Sequence, residues 1–239
     1  MHISSAVEDP LISSTPAKLP HRVTLEGDRV SIVPLDPDYH GASLFQRTSG
    51  PGNEVLWRYL REGPFHDRGA FDVHLKNKAA STDPLFFSMV EKGSQEALGM
   101  AAYMRIEPRH RVLEIGHILF TPDLQKTSAA TETMYLMAKH AFENLGYRRY
   151  EWKCNALNES SRRAALRLGF QFEGIFRQHM IVKSRNRDTA WFSMLDTEWP
   201  HCKNAFEAWL DPSNFDASGR QKISLAVMRH RTPEVRPSR

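Results

Sequence analysis

From Ile118 the chain runs Ile118-Leu119-Phe120-Thr121-Pro122-Asp123-Leu124-Gln125-Lys126-Thr127-Ser128-Ala129-Ala130, an apolar strand-like run, a short loop and the start of an amphipathic helix. That order of parts makes an anion site. The first turn of a helix offers N–H groups with no intrahelical acceptor, and the positive end of its dipole points the same way. A pyrophosphate would fit there; the plainer alternative is an ordinary helix start capped by hydroxyls. No Gly-Lys-Ser/Thr ending is present, which excludes a Walker loop, and no glycine lies between Gly116 and Gly146, which excludes a Rossmann fingerprint.

The helix fed by this loop is the clearest element of the chain. Met134, Met137, Ala138, Ala141, Phe142 and Leu145 follow one helical stripe, Glu132, Lys139 and Glu143 fall mostly off it, and Gly146 stands where a helix ends. Strand-like segments at 85–91, 97–106 and 112–120 precede it. Tyr150, Trp152 and Cys154 then alternate with charged residues in a strand returning beside the helix, a β-α-β unit. A short helix over 160–168 is closed by Gly169, and strands at 170–178 and 189–195 follow, joined by a polar hairpin loop over 183–188. Upstream, Val23, Leu25, Val30, Ile32 and Val33 flank a turn at Gly27-Asp28, and Pro37 opens a helix. Residues 53–80 are helical with breaks at Gly63-Pro64 and Gly69; Trp57, Tyr59, Leu60, Phe65 and Phe71 there either cap a pocket or pack in a core. Residues 204–210 predict a helix packed on the outside.

Composition narrows the class. The chain has 239 residues, 41% hydrophobic and 25% charged, the balance of a globular domain. No run approaches the roughly 20 apolar residues of a membrane span, and the start lacks a secretory pattern, so a cytoplasmic protein is expected. Two cysteines, Cys154 and Cys202, support neither a disulfide framework nor a structural metal. The net charge of +4 comes without basic runs interleaved with aromatics, which argues against nucleic acid as a partner. The expected organisation is a disordered segment over 1–21, one catalytic domain over 22–200, and a C-terminal helical extension with a basic tail over 201–239, as a monomer or homodimer.

The parts fall in a distinctive order: the loop and helix, then Asn158-Glu159-Ser160-Ser161, a short helix, and Leu168-Gly169-Phe170. Here the chain resembles the GNAT acyltransferase superfamily, and within it the branch of ribosomal-protein alanine N-acetyltransferases. In that family a Gln/Arg-x-x-Gly-x-Gly/Ala loop binds the coenzyme A pyrophosphate. Gln125 and Ala130 match its first and last positions, and Ser128 stands where glycine is usual. Ser128 serves if its φ stays negative, since backbone N–H groups hold the anion. The resemblance covers about 22–199. It implies a central mixed, mostly antiparallel sheet flanked by helices, an α/β fold that splays near the coenzyme. It further implies acetyl-CoA as co-substrate, contacted by Ile118, Leu119, Phe120, Gln125, Lys126, Thr127, Ser128, Ala129, Ala130, Asn158 and Ser161, and no metal.

Forming an amide from a thioester requires a neutral amine, an acceptor for its proton, and a proton for the departing thiolate. Glu114, in Leu113-Glu114-Ile115-Gly116-His117, resembles the family's Glu-Ile-Gly-Tyr segment and is the first candidate base; otherwise it is a solvent-facing strand carboxylate. His117 replaces the usual aromatic or walls the pocket. Ser161 matches the serine that protonates the thiolate in the resembling branch, or it caps the helix starting there. Ala165 replaces the tyrosine that serves as acid elsewhere, and Met180 stands where a second carboxylate is expected, with His179 beside it as the alternative base. Cys154 is a small buried hydrophobe. The expected activity is direct N-acetyl transfer to a small-molecule amine or a protein amine, an N-terminus or lysine; the rival is a non-catalytic acyl-CoA-binding module of the same fold.

Overall fold

A computed structural model describes residues 11–231. Eight strands form one sheet, β1 (Leu25–Glu26), β2 (Val30–Pro34), β3 (Leu85–Glu91), β4 (Ala97–Glu107), β5 (Val112–Phe120), β6 (Arg149–Asn155), β7 (Gln171–Val182) and β8 (Arg185–Leu195), in the order β1-β2-β3-β4-β5-β6-β8-β7. Neighbours are antiparallel except β5 and β6. A parallel pair needs a crossover, and α3 (Ser128–Lys139), continued by a π turn (His140–Asn144), supplies it. The other helices are α1 (Pro37–Thr48), α2 (Arg68–Ala80), α4 (Glu159–Leu168), α5 (Trp199–Leu210) and α6 (Leu225–Arg231). This is the mixed, mostly antiparallel α/β arrangement expected from the resemblance.

Period-two alternation divides the core into two layers. Phe87, Met89, Ala101 and Tyr103 pack toward α3 and α5, whereas Phe86, Met100 and Ala102 pack toward α1 and α2. β5 changes sides part-way along: Leu113 and Ile115 belong to the first layer, Leu119 to the second. The cause is one extra residue. Ala102 faces Gly116 and Met100 faces Leu119, so three steps on β5 oppose two on β4, with His117 left-handed at φ 51°.

Four expectations are corrected. Glu132, placed off the apolar stripe, is 4% exposed because its carboxylate accepts from the backbone N–H groups of Asp28 (3.1 Å), Arg29 (2.8 Å) and Val30 (3.0 Å) in the β1–β2 turn. A Cβ on Gly27 would lie 2.6 Å from that carboxylate, so the turn needs glycine there. The loop at 183–188 shrinks to Lys183 and Ser184, both left-handed (φ 49° and 58°), a two-residue hairpin turn that lets β7 and β8 run to its edge. The C-terminal helix is longer and not peripheral: Pro200 is tolerated in its first turn, and Trp199, Cys202, Phe206 and Trp209 join the main core with Leu225 of α6. The chain also engages the core before Arg22, since Ala17 is buried and the N–H groups of Ala17 and Lys18 bond to Pro108 and Leu145. The expected disorder of residues 1–10 and the basic tail over 232–239 lie outside the described residues.

Glu132→Ala leaves three buried or half-buried N–H donors without their acceptor and should cost about 3 kcal/mol of stability. A chemical denaturation midpoint equal to that of the parent chain would contradict this account of the hairpin.

Candidate active site

The extra residue in β5 decides where the site lies. β5 and β6 pair only from Val112–Arg149 to Ile115–Trp152. The bulge begins at the next residue, turns β5 away, and the facing edges of 116–120 and 153–155 part to open a cleft of about 1330 Å³. The start of α3, the start of α4, the segment at 55–61, the β7–β8 hairpin and residues near α5 complete its walls.

At one end the loop before α3 presents its amides. Thr127 caps the helix: its Oγ1 accepts from Ala130 N at 3.1 Å and donates to Leu124 O at 2.7 Å. The first-turn N–H groups of Ser128 and Ala129 have no acceptor within the helix. Gln125 Nε2 donates to Phe120 O at 2.9 Å and ties the loop to β5. The left-handed backbone that glycine usually supplies falls on Lys126 (φ 62°), so Ser128 sits as an ordinary first helical residue. Arg167, on α4, donates to Thr131 Oγ1 at 3.1 Å and brings a cation beside the same helix start.

At the other end lie the groups that can move protons. Glu114, 5% exposed, pairs with Lys153 Nζ at 2.9 Å and Arg105 Nε at 3.2 Å, and Lys153 also meets Glu151 at 2.5 Å. Burial outweighs these cations and raises the Glu114 carboxyl above the usual range. Lys153 sits 3.9 Å from the centroid of the Trp191 ring. Ser161 Oγ accepts from Trp152 Nε1 at 3.0 Å. His179 Nδ1 lies 3.0 Å from Thr189 Oγ1, and partial burial plus Arg105, Arg187, Lys153 and Arg61 hold its ring neutral to below the ordinary imidazole value. Burial pushes the Cys154 thiol up, so it stays protonated.

The acetyltransferase (GNAT) domain, as a family, matches residues 29–171, which take in β5, the anion loop, α4 and the parting of the strands. The chain belongs to the GNAT acetyltransferase family. A GCN5-related N-acetyltransferase from Brucella melitensis has the same fold at a TM-score of 0.89 and 48% identity, covering 90% of this chain and 98% of that one. The uncharacterized N-acetyltransferase YoaA of Bacillus subtilis is 29% identical over 44% of this chain and 58% of its own. The ribosomal-protein-serine acetyltransferase of Escherichia coli is 31% identical over 35% of this chain and 46% of its own. The chain thus spans about half the length of these two curated relatives.

In this GNAT domain nearly every residue expected at the cleft lines it: Glu114, Ile118, Leu119, Phe120, Gln125, Lys126, Thr127, Ser128, Ala130, Asn158, Ser161 and His179. Ala129 does not. Ser161 is not the helix cap. Asn158 is, with Oδ1 accepting from Ser161 N at 3.1 Å, which places Ser161 inside the first turn, where its hydroxyl meets Trp152 and Cys154 instead of the helix backbone. Glu114 is not solvent-facing, and His117 walls the cleft against Phe86 (5.2 Å between centroids), its imidazole pushed down to about 4 by burial. Sequence reasoning missed Arg61, Arg105, Lys153 and Arg187, and also Trp209, Phe215 and Arg220 of the C-terminal region, all of which line the cleft. Lys153 alternates with Trp152 and Cys154 as a surface residue would, but Glu114, Glu151 and the Trp191 ring enclose its side chain at the edge of the cleft. No helix among the described residues is long and apolar enough to cross a membrane.

Coenzyme A should raise the melting temperature of the chain, because a ligand of the native state stabilises it by mass action. Ser128→Asp sets a carboxylate against the pyrophosphate site and should remove most of that rise. An undiminished shift in this variant would put the coenzyme elsewhere.

Proposed function

We propose that this chain passes the acetyl group of acetyl-CoA directly to a primary amine, with Glu114 accepting the amine's proton and Ser161 supplying one to the departing thiolate. One observation carries this: the anion-binding helix start, the unpaired strand edges, Glu114 and Ser161 all line one continuous cleft.

Lys126, Thr127, Ser128, Ala130 and Asn158 suit the coenzyme, since amide donors and a cation meet the chemistry of a pyrophosphate. The open edge of β5 over 116–120 offers N–H groups to the thioester oxygen as it gains negative charge. Glu114 suits the base because its buried carboxyl welcomes a proton more than an exposed one does, while Lys153 and Arg105 oppose part of that rise and hold it in place. The cations around it also favour the neutral form of an incoming amine. Ser161 suits the acid. Trp152 donates to its oxygen and Asn158 holds the helix cap, and its hydroxyl, which at rest also bonds to the Cys154 sulfur, can turn to the thiolate. His179 is the alternative base, its Nδ1 engaged by Thr189.

Thiol release from acetyl-CoA across a panel of amines and peptides tests this function. Coenzyme binding with no amine-dependent release would leave a non-catalytic acyl-CoA-binding module instead. Glu114→Gln should lower the rate at neutral pH by about 10²–10⁴-fold with coenzyme affinity near wild type, and alkaline solution should restore part of it as the free amine fraction grows. Full activity in that variant would pass the role to His179, tested by His179→Ala. Ser161→Ala should slow release at every pH and cost about 1 kcal/mol of stability, not through a lost cap, which belongs to Asn158, but because the buried Trp152 Nε1 loses its acceptor. A loss of stability with an unchanged rate would make Ser161 structural.

A further inference from the structure

Eight lysine and arginine side chains line the cleft against one carboxylate, Glu114. Four of them, Lys126, Arg163, Arg167 and Arg220, flank the helix start and the neighbouring α4 and C-terminal wall, where the phosphates of a coenzyme account for them. The other four, Arg61, Arg105, Lys153 and Arg187, gather around His179 at the opposite end. Glu114 and Glu151 engage Arg105 and Lys153. Arg61 and Arg187 form no ion pair among the described residues: Arg61 Nη2 reaches only Met180 Sδ at 3.8 Å, and Arg187 Nε only Thr189 Oγ1 at 3.2 Å. Met180 faces Arg187 across the β7–β8 ladder, so the two guanidiniums flank one side chain. Arg187 is half-buried, and taking a cation out of water without an anion is costly.

Two hydrogen bonds close this end of the cleft. Tyr59 donates to Leu157 O at 3.1 Å and Lys183 Nζ to Trp57 O at 2.8 Å, tying the segment that bears Arg61 to the turn before α4 and to the tip of the hairpin. Such a clasp leaves room for a compact molecule more readily than for a polypeptide. A plain ammonium would meet four cations there, whereas an amine that brings its own anion offsets its ammonium charge and satisfies the two guanidiniums, which bind carboxylate and phosphate in the same forked geometry.

Building on the transferase function proposed above, we infer that the acceptor is a small amine bearing a carboxylate or phosphate, the anion held between Arg61 and Arg187 and the amine directed toward Glu114. The test is thiol release from acetyl-CoA with matched pairs, β-alanine against propylamine and phosphoethanolamine against ethanolamine, together with short peptide amides. The anionic member of at least one pair should be preferred by about 30-fold or more in kcat/KM, and the better pair tells carboxylate from phosphate. Arg61→Gln and Arg187→Gln should collapse that preference while KM for acetyl-CoA stays near wild type. Equal rates within both pairs, a preference that survives both substitutions, or turnover of peptides alone would overturn the inference. Calorimetric binding of β-alanine and phosphoethanolamine to the chain loaded with coenzyme A separates the two claims. Binding that is lost in Arg187→Gln supports the inference even if no thiol is released, in which case the transferase function is what fails; absence of binding by both compounds overturns the inference itself.

Discussion

A single residue too many in β5 governs this molecule. Parallel strands joined through α3 would otherwise stay hydrogen-bonded along their whole length, and a closed ladder has no place for a ligand. The bulge at 116–118 ends the pairing after Ile115 and Trp152, exchanges the faces that β5 presents to the two core layers, and leaves two strand edges with unused backbone groups. The same departure sets the start of α3 at the mouth of the gap, because the loop from Thr121 to Thr127 must bridge the end of β5 to the helix. His117 accepts the left-handed conformation that this demands, and its packing on Phe86 holds it there.

Charge is distributed along the cleft to match. Amides, Lys126 and Arg167 stand at the helix start, where a negative ligand gains from the dipole and from the cations together. At the far end Glu114 is enclosed by Lys153 and Arg105, and Lys153 is shared with Glu151 and set against Trp191. A carboxylate so placed is raised in proton affinity by burial while two cations hold it in position, which supports the base role proposed for it. The C-terminal helices take part as well. Trp209, Phe215 and Arg220 close the wall next to the anion loop, so the segment after β8 is bound up with both the core and the site.

How much of this was legible in the sequence varied with the distance between interacting residues. β3 and β5 were found with their observed bounds, and the stripe of α3 with its terminal glycine was plain, because hydrophobic period and capping are local signals. The anion loop and Asn158 followed from the order of parts. The bulge was not seen, although Leu113 and Ile115 followed by Ile118 and Phe120 carry a spacing of three where a straight strand keeps two. Glu132 and Lys153 looked like surface charges; what buries them is a hairpin over 100 residues upstream in one case and, in the other, Glu114 and Trp191 from the strands on either side. The C-terminal helix shows its amphipathic pattern in Trp199, Cys202, Phe206 and Trp209, but it lies beyond the resemblance, which ends near Trp199, and for that reason was set outside the core. Whether Ser161 caps its helix or is left for chemistry stays open in the sequence because Asn158 and Ser161 are both good capping types, and only the backbone decides between them.

The parting of β5 and β6 as the seat of the coenzyme is tested most directly by a crystal structure of the chain with coenzyme A. The account predicts the pyrophosphate at the start of α3 on the N–H group of Ser128, the pantetheine arm running between 116–120 and 153–155, and the thiol beside Ser161 Oγ. A coenzyme bound outside that gap, or one whose thiol ends away from both Ser161 and Glu114, would contradict it.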